Sequence, residues 1–285
     1  MLGAIYGDIA GSPYEPGTRY WHDQSIPYDF TIFGAGSHIT DDSLMTLAVA
    51  NALVVSRNDM GDYRRNLISS MLKIAHDHPR VAWGANFKRW LFDSGDDPSP
   101  INSYGNGAAM RISPVGWVCD TLEETIKLSK RTTEVSHSHP EGIKGAEAIA
   151  VAIFLARTGA SKEQIKEKMI GYYPEIENMT IAGLISSSYG DPESSGWITC
   201  QGSVPQAICA FLKSDSLESA VRNAIKLNAD TDTQAAMAGS IAEAFYGFGY
   251  DDEDRVFKFL TPDLQSICHA FRTVKKKRQK RSESL

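Results

Sequence analysis

Three stretches of the chain, residues 44–55, 146–156 and 235–245, carry apolar or small side chains around almost the whole circumference of a helix. In the first, only Thr46 and Asn51 interrupt the apolar run. Helices with no polar face belong in the interior, because no side is left for water. Ala148, Ala150, Ala152, Ala236, Ala238, Gly239 and Ala242 are small enough for close helix packing, and alanine favours helix over strand. Amphipathic windows at residues 63–75, 122–131, 162–170 and 217–227 supply an outer layer. Period-two alternation is scarce, so the pattern predicts a compact all-α bundle with little or no sheet.

A chain of 285 residues can bury a substantial core. The glycine-, proline- and serine-rich stretches at residues 11–17, 94–107, 186–196 and 247–250 read as loops, and none reads as a linker. One domain over residues 1–274 is expected, followed by a basic tail, 275–285, that is frayed and solvated. A net charge of −6 gives no overall attraction for nucleic acid. The four cysteines lack the short paired spacings of zinc or redox motifs and read as reduced, mostly buried thiols. The chain opens without a basic leader and contains no apolar run of bilayer length, so a cytoplasmic address with no membrane partner is expected.

Each apolar helix is entered through a cluster of potential ligands: Thr40-Asp41-Asp42-Ser43, His137-Ser138-His139-Pro140-Glu141, and Asp230-Thr231-Asp232-Thr233. Asp, Ser and Thr are preferred helix caps, and acids suit the positive end of a helix dipole. That explains one such residue per helix. It does not explain two carboxylates at each of two buried starts, where like charges repel and desolvation is expensive. A bound cation removes both objections. Carboxylate and hydroxyl oxygens, without paired cysteines, select hard ions such as Mg²⁺ or Mn²⁺ over zinc.

A second element is the glycine-rich run Ser103-Tyr104-Gly105-Asn106-Gly107, which leads into a helix over Ala108-Ala109-Met110-Arg111. Glycines allow close backbone approach, and a helix start offers N–H groups to phosphate oxygens. Its spacing fits neither a P-loop nor a dinucleotide fingerprint, and alone it would be a turn with a cap. Glu15 follows the N-terminal Gly7-Asp8 helix on an acidic loop; taken alone it is a surface carboxylate, and it is also placed to reach a metal or act as general base.

Together these runs, with Gly3-Ala4-Ile5-Tyr6-Gly7-Asp8, resemble the ADP-ribosylglycohydrolases, including the dinitrogenase reductase-activating glycohydrolase and the ADP-ribosyl-acceptor hydrolases. The resemblance spans residues 1–247 and implies an orthogonal all-α bundle with two Mg²⁺ or Mn²⁺ ions at its centre. It implies metal ligation by Thr40, Asp41, Asp42, Asp230, Asp232 and Thr233. Ser103, Tyr104, Gly105, Asn106 and Gly107 would cradle ADP-ribose, with His137 lining the cleft. Asp41, Asp42 or Glu15 would take the proton of an attacking water. The implied substrate is an ADP-ribosylated protein or small molecule, with nucleic acid entering only as a modified substrate, and a monomer is favoured. The acceptor stays open among arginine, serine, a nucleic-acid base and O-acetyl-ADP-ribose, with an ADP-ribosyl-arginine-like N-glycoside favoured, and the acceptor side of the cleft is assigned to residues 21–33 and 189–203. Many relatives have Gly-Gly where this chain has Asn228-Ala229, which puts the turn before the second acidic motif in question.

Two other readings compete. All-α prenyl and terpene synthases also bind Mg²⁺ through facing acidic helices, but their first motif carries a further Asp three positions after the pair, where this chain has Met45. A non-catalytic relative, such as the crystallins that resemble this family, would have lost ligands, whereas every expected ligand type is present here.

Overall fold

The computed structural model describes residues 1–15, 18, 26, 29–187 and 196–282, with side chains as far as Val274. The chain runs through α1 (Leu2–Gly11), α2 (Asp41–Val55), α3 (Tyr63–Asp77), α4 (Ala85–Phe92) and α5 (Gly107–Met110). It continues through α6 (Ser113–Val118), α7 (Leu122–Thr133), α8 (Pro140–Arg157), α9 (Lys162–Ile170) and α10 (Ile181–Ser186). The last third holds α11 (Cys200–Leu212), α12 (Leu217–Ile225), α13 (Thr231–Tyr246), α14 (Tyr250–Phe257) and α15 (Pro262–Ser282). Among the described residues there is no sheet, only isolated bridges pairing Ile101 with His137 and Gly105 with Thr199. The fold is all-α, as the periodicity predicts.

The three apolar helices are the interior. Every residue of α13 from Thr231 to Glu243 is buried, because α1, α8, α11 and α12 pack around it. In α2 only the entry and exit positions and Asn51 keep appreciable exposure, and in α8 the run from Ala148 to Phe154 is buried throughout. The outer helices are started by side-chain caps. Ser161 and Gln164 close a capping box on α9, Ser216 and Ser219 do the same on α12, and Thr121 caps α7. All four cysteines are free and buried.

Two helices share the interior with the three apolar ones: α1, which carries the predicted Gly7-Asp8 helix, and α11, which no apolar window predicts. In α1 all ten residues are buried, and α11 contains Pro205, which removes one backbone donor within the helix. The backbone of the basic run expected to fray continues α15 to Ser282. No helix among the described residues is long and apolar enough to cross a membrane.

Candidate metal centre and ligand loop

The contact between α1 and α13 places the two acidic motifs together. A Cβ on Gly7 would lie 2.0 Å from the Ala235 carbonyl oxygen, and one on Gly11 would lie 2.5 Å from the Asp232 Cα. Only glycine permits that approach. It brings Asp8, in the middle of α1, beside Asp232 in the first turn of α13. Thr231 Oγ1 fastens the two helices further by donating to the Gly11 carbonyl at 3.0 Å.

Helix α2 enters the same point. Asp8 Oδ2 accepts from the Thr40 N–H (3.0 Å), the Ser43 N–H (3.1 Å) and the Ser43 hydroxyl, while Oδ1 accepts from Thr40 Oγ1 at 2.7 Å. Thr40 Oγ1 in turn accepts from the Asp42 N–H at 3.2 Å, capping α2. Thr233 Oγ1 donates to Asp42 Oδ2 at 3.2 Å across the junction. Carboxylate oxygens of Asp8, Asp42 and Asp232 consequently lie within 4.8 Å of one another, and all three residues are buried.

Among the described residues no cationic side chain forms an ion pair with this triad, and its acids are driven toward protonation. Burial, followed by repulsion from Asp232, raises Asp8 to about 6, Asp41 to about 8 and Glu15 to about 9. The same two causes push Asp42 and Asp230 well above the carboxylate range, and burial raises Asp232. Asp230 and Glu15 stand against Asp232 and favour its charged form, as neighbouring carboxyls do when they carry the proton.

The donor set fits a hard divalent cation. Asp42 Oδ1 and Asp232 Oδ1 are buried with no hydrogen-bond partner, a costly state for oxygens that a cation would relieve. The residues in place are carboxylates and threonine hydroxyls, the ligand type of Mg²⁺, Mn²⁺ or Ca²⁺.

The glycine-rich loop is joined to this centre. Asn106 Nδ2 donates to Asp230 Oδ2 at 2.6 Å, tying the loop to the entry of α13. On its other flank the loop pairs with the segment before α11: the Asn106 N–H donates to the Ile198 carbonyl (3.0 Å), and the Cys200 N–H to the Tyr104 carbonyl (2.9 Å). The Gly105 N–H turns back to Ser103 Oγ at 3.1 Å. With the Ser103 N–H donating to the Ile101 carbonyl at 2.8 Å, three of the loop's N–H groups are committed inside the protein, which narrows the expectation that the whole run offers donors to a ligand. The Tyr104 ring is 48% exposed and meets the His139 ring edge-on at 5.2 Å, so its free face is open to a planar partner.

His137 borders the loop from the other side. It is 4% exposed, burial and the Arg111 charge push it down to about 3, and its Nε2 would lie 3.4 Å from a Cβ on Gly107. His139, grouped with it in the sequence as a candidate ligand, serves instead as the cap of α8: its Nδ1 accepts from the Glu141 N–H at 3.1 Å. The entry of α8 therefore flanks the loop, and the acidic triad is built from α1, α2 and α13 only.

Of the sequence-predicted residues, Thr40, Asp42, Asp232 and Thr233 converge directly, while Asp41, Asp230 and Glu15 surround them electrostatically. Asp8 was not among the predicted ligands, although it anchors the whole α2 entry. A lone acid inside a run of otherwise fully buried residues was the available signal. At the questioned turn, Asn228 adopts a left-handed φ of 53°, a conformation asparagine tolerates better than most residues. Loss of glycine there leaves the turn intact. Parts of both acceptor-side segments, residues 21–33 and 189–203, lie outside the described residues.

Fold and site together define an all-α protein with a buried carboxylate triad that could hold a metal ion, beside a glycine-rich loop. The family model for ADP-ribosylglycohydrolase matches residues 1–275, and the chain belongs to that family. Mouse (Mus musculus) ADP-ribosylhydrolase ARH3 is 27% identical over 309 aligned positions, covering 87% of this chain and 82% of the relative. The ADP-ribosylarginine hydrolase Tri1 of Pseudomonas putida (strain GB-1) is 24% identical, covering 84% of this chain and 62% of its own length. A solved structure described as an ADP-ribosylglycohydrolase-related protein complex superposes with a TM-score of 0.69 at 22% identity, over 96% of this chain and 97% of that one, and shares the fold.

Proposed function

We propose that the protein hydrolyses the bond between C1 of the distal ribose of ADP-ribose and an acceptor, releasing ADP-ribose, with two Mg²⁺ or Mn²⁺ ions at the acidic centre. The observation that carries this reading is the buried triad of Asp8, Asp42 and Asp232 with orphaned oxygens, linked through Asp230 and Asn106 to the glycine-rich loop. Thr40, Asp41, Asp42, Asp230, Asp232 and Thr233 would hold the ions. Bound there, the ions would supply Lewis-acid stabilisation of sugar oxygens and lower the pKa of a water.

The chain's own residues divide the remaining work. Ser103, Tyr104, Gly105, Asn106 and Gly107 hold the nucleotide, with the Ser103 hydroxyl, the Gly107 N–H and the open Tyr104 face as the groups left for contact, and His137 closes the cleft. Asp8, saturated by hydrogen bonds from Thr40 and Ser43, fixes the entry of α2 so that the acids of that turn face Asp232. Acceptance of the water's proton falls to Asp41, Asp42 or Glu15, of which Glu15 alone is not also assigned to the ions. Glycosyl transfer passes through an oxocarbenium-like state, which a cluster of carboxylates at C1 favours.

The acceptor we propose is an N-glycoside of the ADP-ribosyl-arginine type, in line with the name of the Tri1 relative. The test is a panel of ADP-ribosyl-arginine, ADP-ribosyl-serine, O-acetyl-ADP-ribose and ADP-ribosylated nucleic acid, each with Mg²⁺, Mn²⁺ or a chelator, with free ADP-ribose measured by chromatography. Metal-dependent release, fastest from the arginine conjugate, is the expected result. A catalytically silent relative would release none from any substrate, and the hydrolase reading would then be abandoned.

A further inference from the structure

Beside the ligand loop sits a buried cation that the proposed reaction does not use. Arg111 is 0% exposed, just beyond the C-terminal end of α5, and its guanidinium lies over the Phe87 ring at 5.3 Å. Its Nη2 donates to Ser136 Oγ at 2.5 Å, while Nε and Nη1 are buried without a partner. Ser136 Oγ stands 2.8 Å from His137 Nδ1. Among the described residues Ser136 Oγ has only these two partners.

Donor logic then fixes the hydrogens. A guanidinium can only donate, so Ser136 Oγ is an acceptor toward Arg111. The serine's own hydrogen has one acceptor within reach, His137 Nδ1. The alternative, with Nδ1 carrying a hydrogen and donating to Oγ, would leave the buried serine hydrogen unsatisfied, at a cost of about 1–3 kcal/mol. The ring proton therefore resides on Nε2, the edge that faces Gly107. Gly107 is not held in a left-handed conformation. The space its missing Cβ leaves is the space in front of this N–H.

We infer that Arg111 and Ser136 are positioning residues that lock His137 as a neutral Nε2–H donor aimed across Gly107 into the ligand cleft. The inference rests on the proposed reading of residues 103–107 as the ADP-ribose cradle. An acceptor oxygen of the ligand is then met by a donor whose orientation and tautomer are set before binding, so the cost of ordering the ring at the moment of contact is avoided. The neighbouring Arg111 charge also opposes a second proton on the ring, so the donor stays neutral across the working range.

The experiment reads tautomer and affinity separately. Nitrogen-15 NMR of the ring, assigned among the seven histidines by a His137→Gln variant, should find a single Nε2–H tautomer in the ligand-free protein from pH 5 to pH 9. Ser136→Ala, which removes only the bridging hydroxyl, should convert this to a mixture of tautomers and weaken ADP-ribose binding about tenfold, equivalent to ~1.4 kcal/mol by calorimetry. An Nδ1–H tautomer in the wild-type protein overturns the inference, even where Ser136→Ala does not fold. So does a folded Ser136→Ala variant with unchanged tautomer and affinity. A wild-type protein that takes up no ADP-ribose defeats the cradle reading, and the positioning role with it, whatever the tautomer; wild-type uptake with the wrong tautomer defeats the positioning role alone.

Discussion

Two buried regions on either side of α5 are out of charge balance in opposite directions. At the acidic centre, Asp8, Asp42 and Asp232 crowd together with Asp41, Asp230 and Glu15 around them. At the Arg111 pocket a full positive charge is held by one hydroxyl and one aromatic face. Burial lowers Arg111 only to about 10, with Tyr63 and Asp41 opposing the shift, so the guanidinium stays charged at neutral pH. The acids have another course: with pKa values raised into and beyond the neutral range, they take up either protons or cations. The contrast separates a fixed structural charge from a ligand site. The first keeps its charge through the neutral range, whereas the second holds protons that a bound cation would displace.

The largest effect expected at the acidic centre is that of Asp232→Ala. It removes a member of the triad and the source of repulsion felt by every other acid there. Losing metal-assisted stabilisation worth several kcal/mol should lower turnover by on the order of a thousandfold and abolish divalent-ion uptake. A variant retaining near-normal hydrolysis would break the contrast, since the centre would then be a structural acid network.

Next is Gly7→Ala, which forces a methyl group to within 2.0 Å of the Ala235 carbonyl in the starting geometry. Overpacking of this kind costs about 1–3 kcal/mol or more, so the melting temperature should fall by roughly 3–10 °C. Metal affinity should fall with it, because α1 and α13 carry Asp8 and Asp232 apart. Unaltered melting with unaltered affinity would show that the helix contact does not set the site.

The proton exchange itself is measurable without catalysis. Below the ordinary carboxylate range, folded and unfolded chains both hold these protons. As pH rises from about 4, the unfolded chain loses them first, while the folded one keeps them until about 6 at Asp8, 8 at Asp41 and 9 at Glu15. Stability contributed by the protonated acids is therefore lost across that window, and the melting temperature of chelator-treated protein should fall from pH 5 to pH 9. Mg²⁺ or Mn²⁺ should restore it, by a larger margin at pH 8 than at pH 6. A metal-induced gain that shrinks with rising pH would contradict the exchange.

The smallest effect belongs to the seam between the two parts. Asn106→Ala deletes the amide donated to Asp230. A charge-assisted hydrogen bond is worth about 1.5–3 kcal/mol, so ADP-ribose affinity should fall by on the order of tenfold or more, with metal uptake weakened less. Equal losses in both would mean that loop and centre are a single unit.

Much of this was legible before any coordinates. The apolar helices α2, α8 and α13 announced themselves by lacking a polar face, and the doubled acids at two of their starts exceeded what capping requires. What escaped detection depended on tertiary packing. The one local mark on Asp8 is that it is a lone acid within α1; its role as an anchor is not legible locally, because its four donors come from residues 40 and 43, brought over by α2. His137 and His139 look alike in sequence, yet one lines the loop and the other caps a helix. The glycine-rich run suggested a row of free N–H groups, but the segment before α11 claims the Asn106 N–H and the Ser103 hydroxyl takes that of Gly105. α11 itself was hidden by Pro205 and by burial on all sides, which leaves no amphipathic period to read.

The central claim, that the acidic centre is a cation site, is tested most directly by isothermal titration of the metal-free protein with Mg²⁺ and Mn²⁺ in two buffers of different ionisation enthalpy. Saturable uptake accompanied by net proton release, and lost in Asp42→Ala, is the predicted result. Absence of uptake, or binding with no protons released near pH 7, would contradict it.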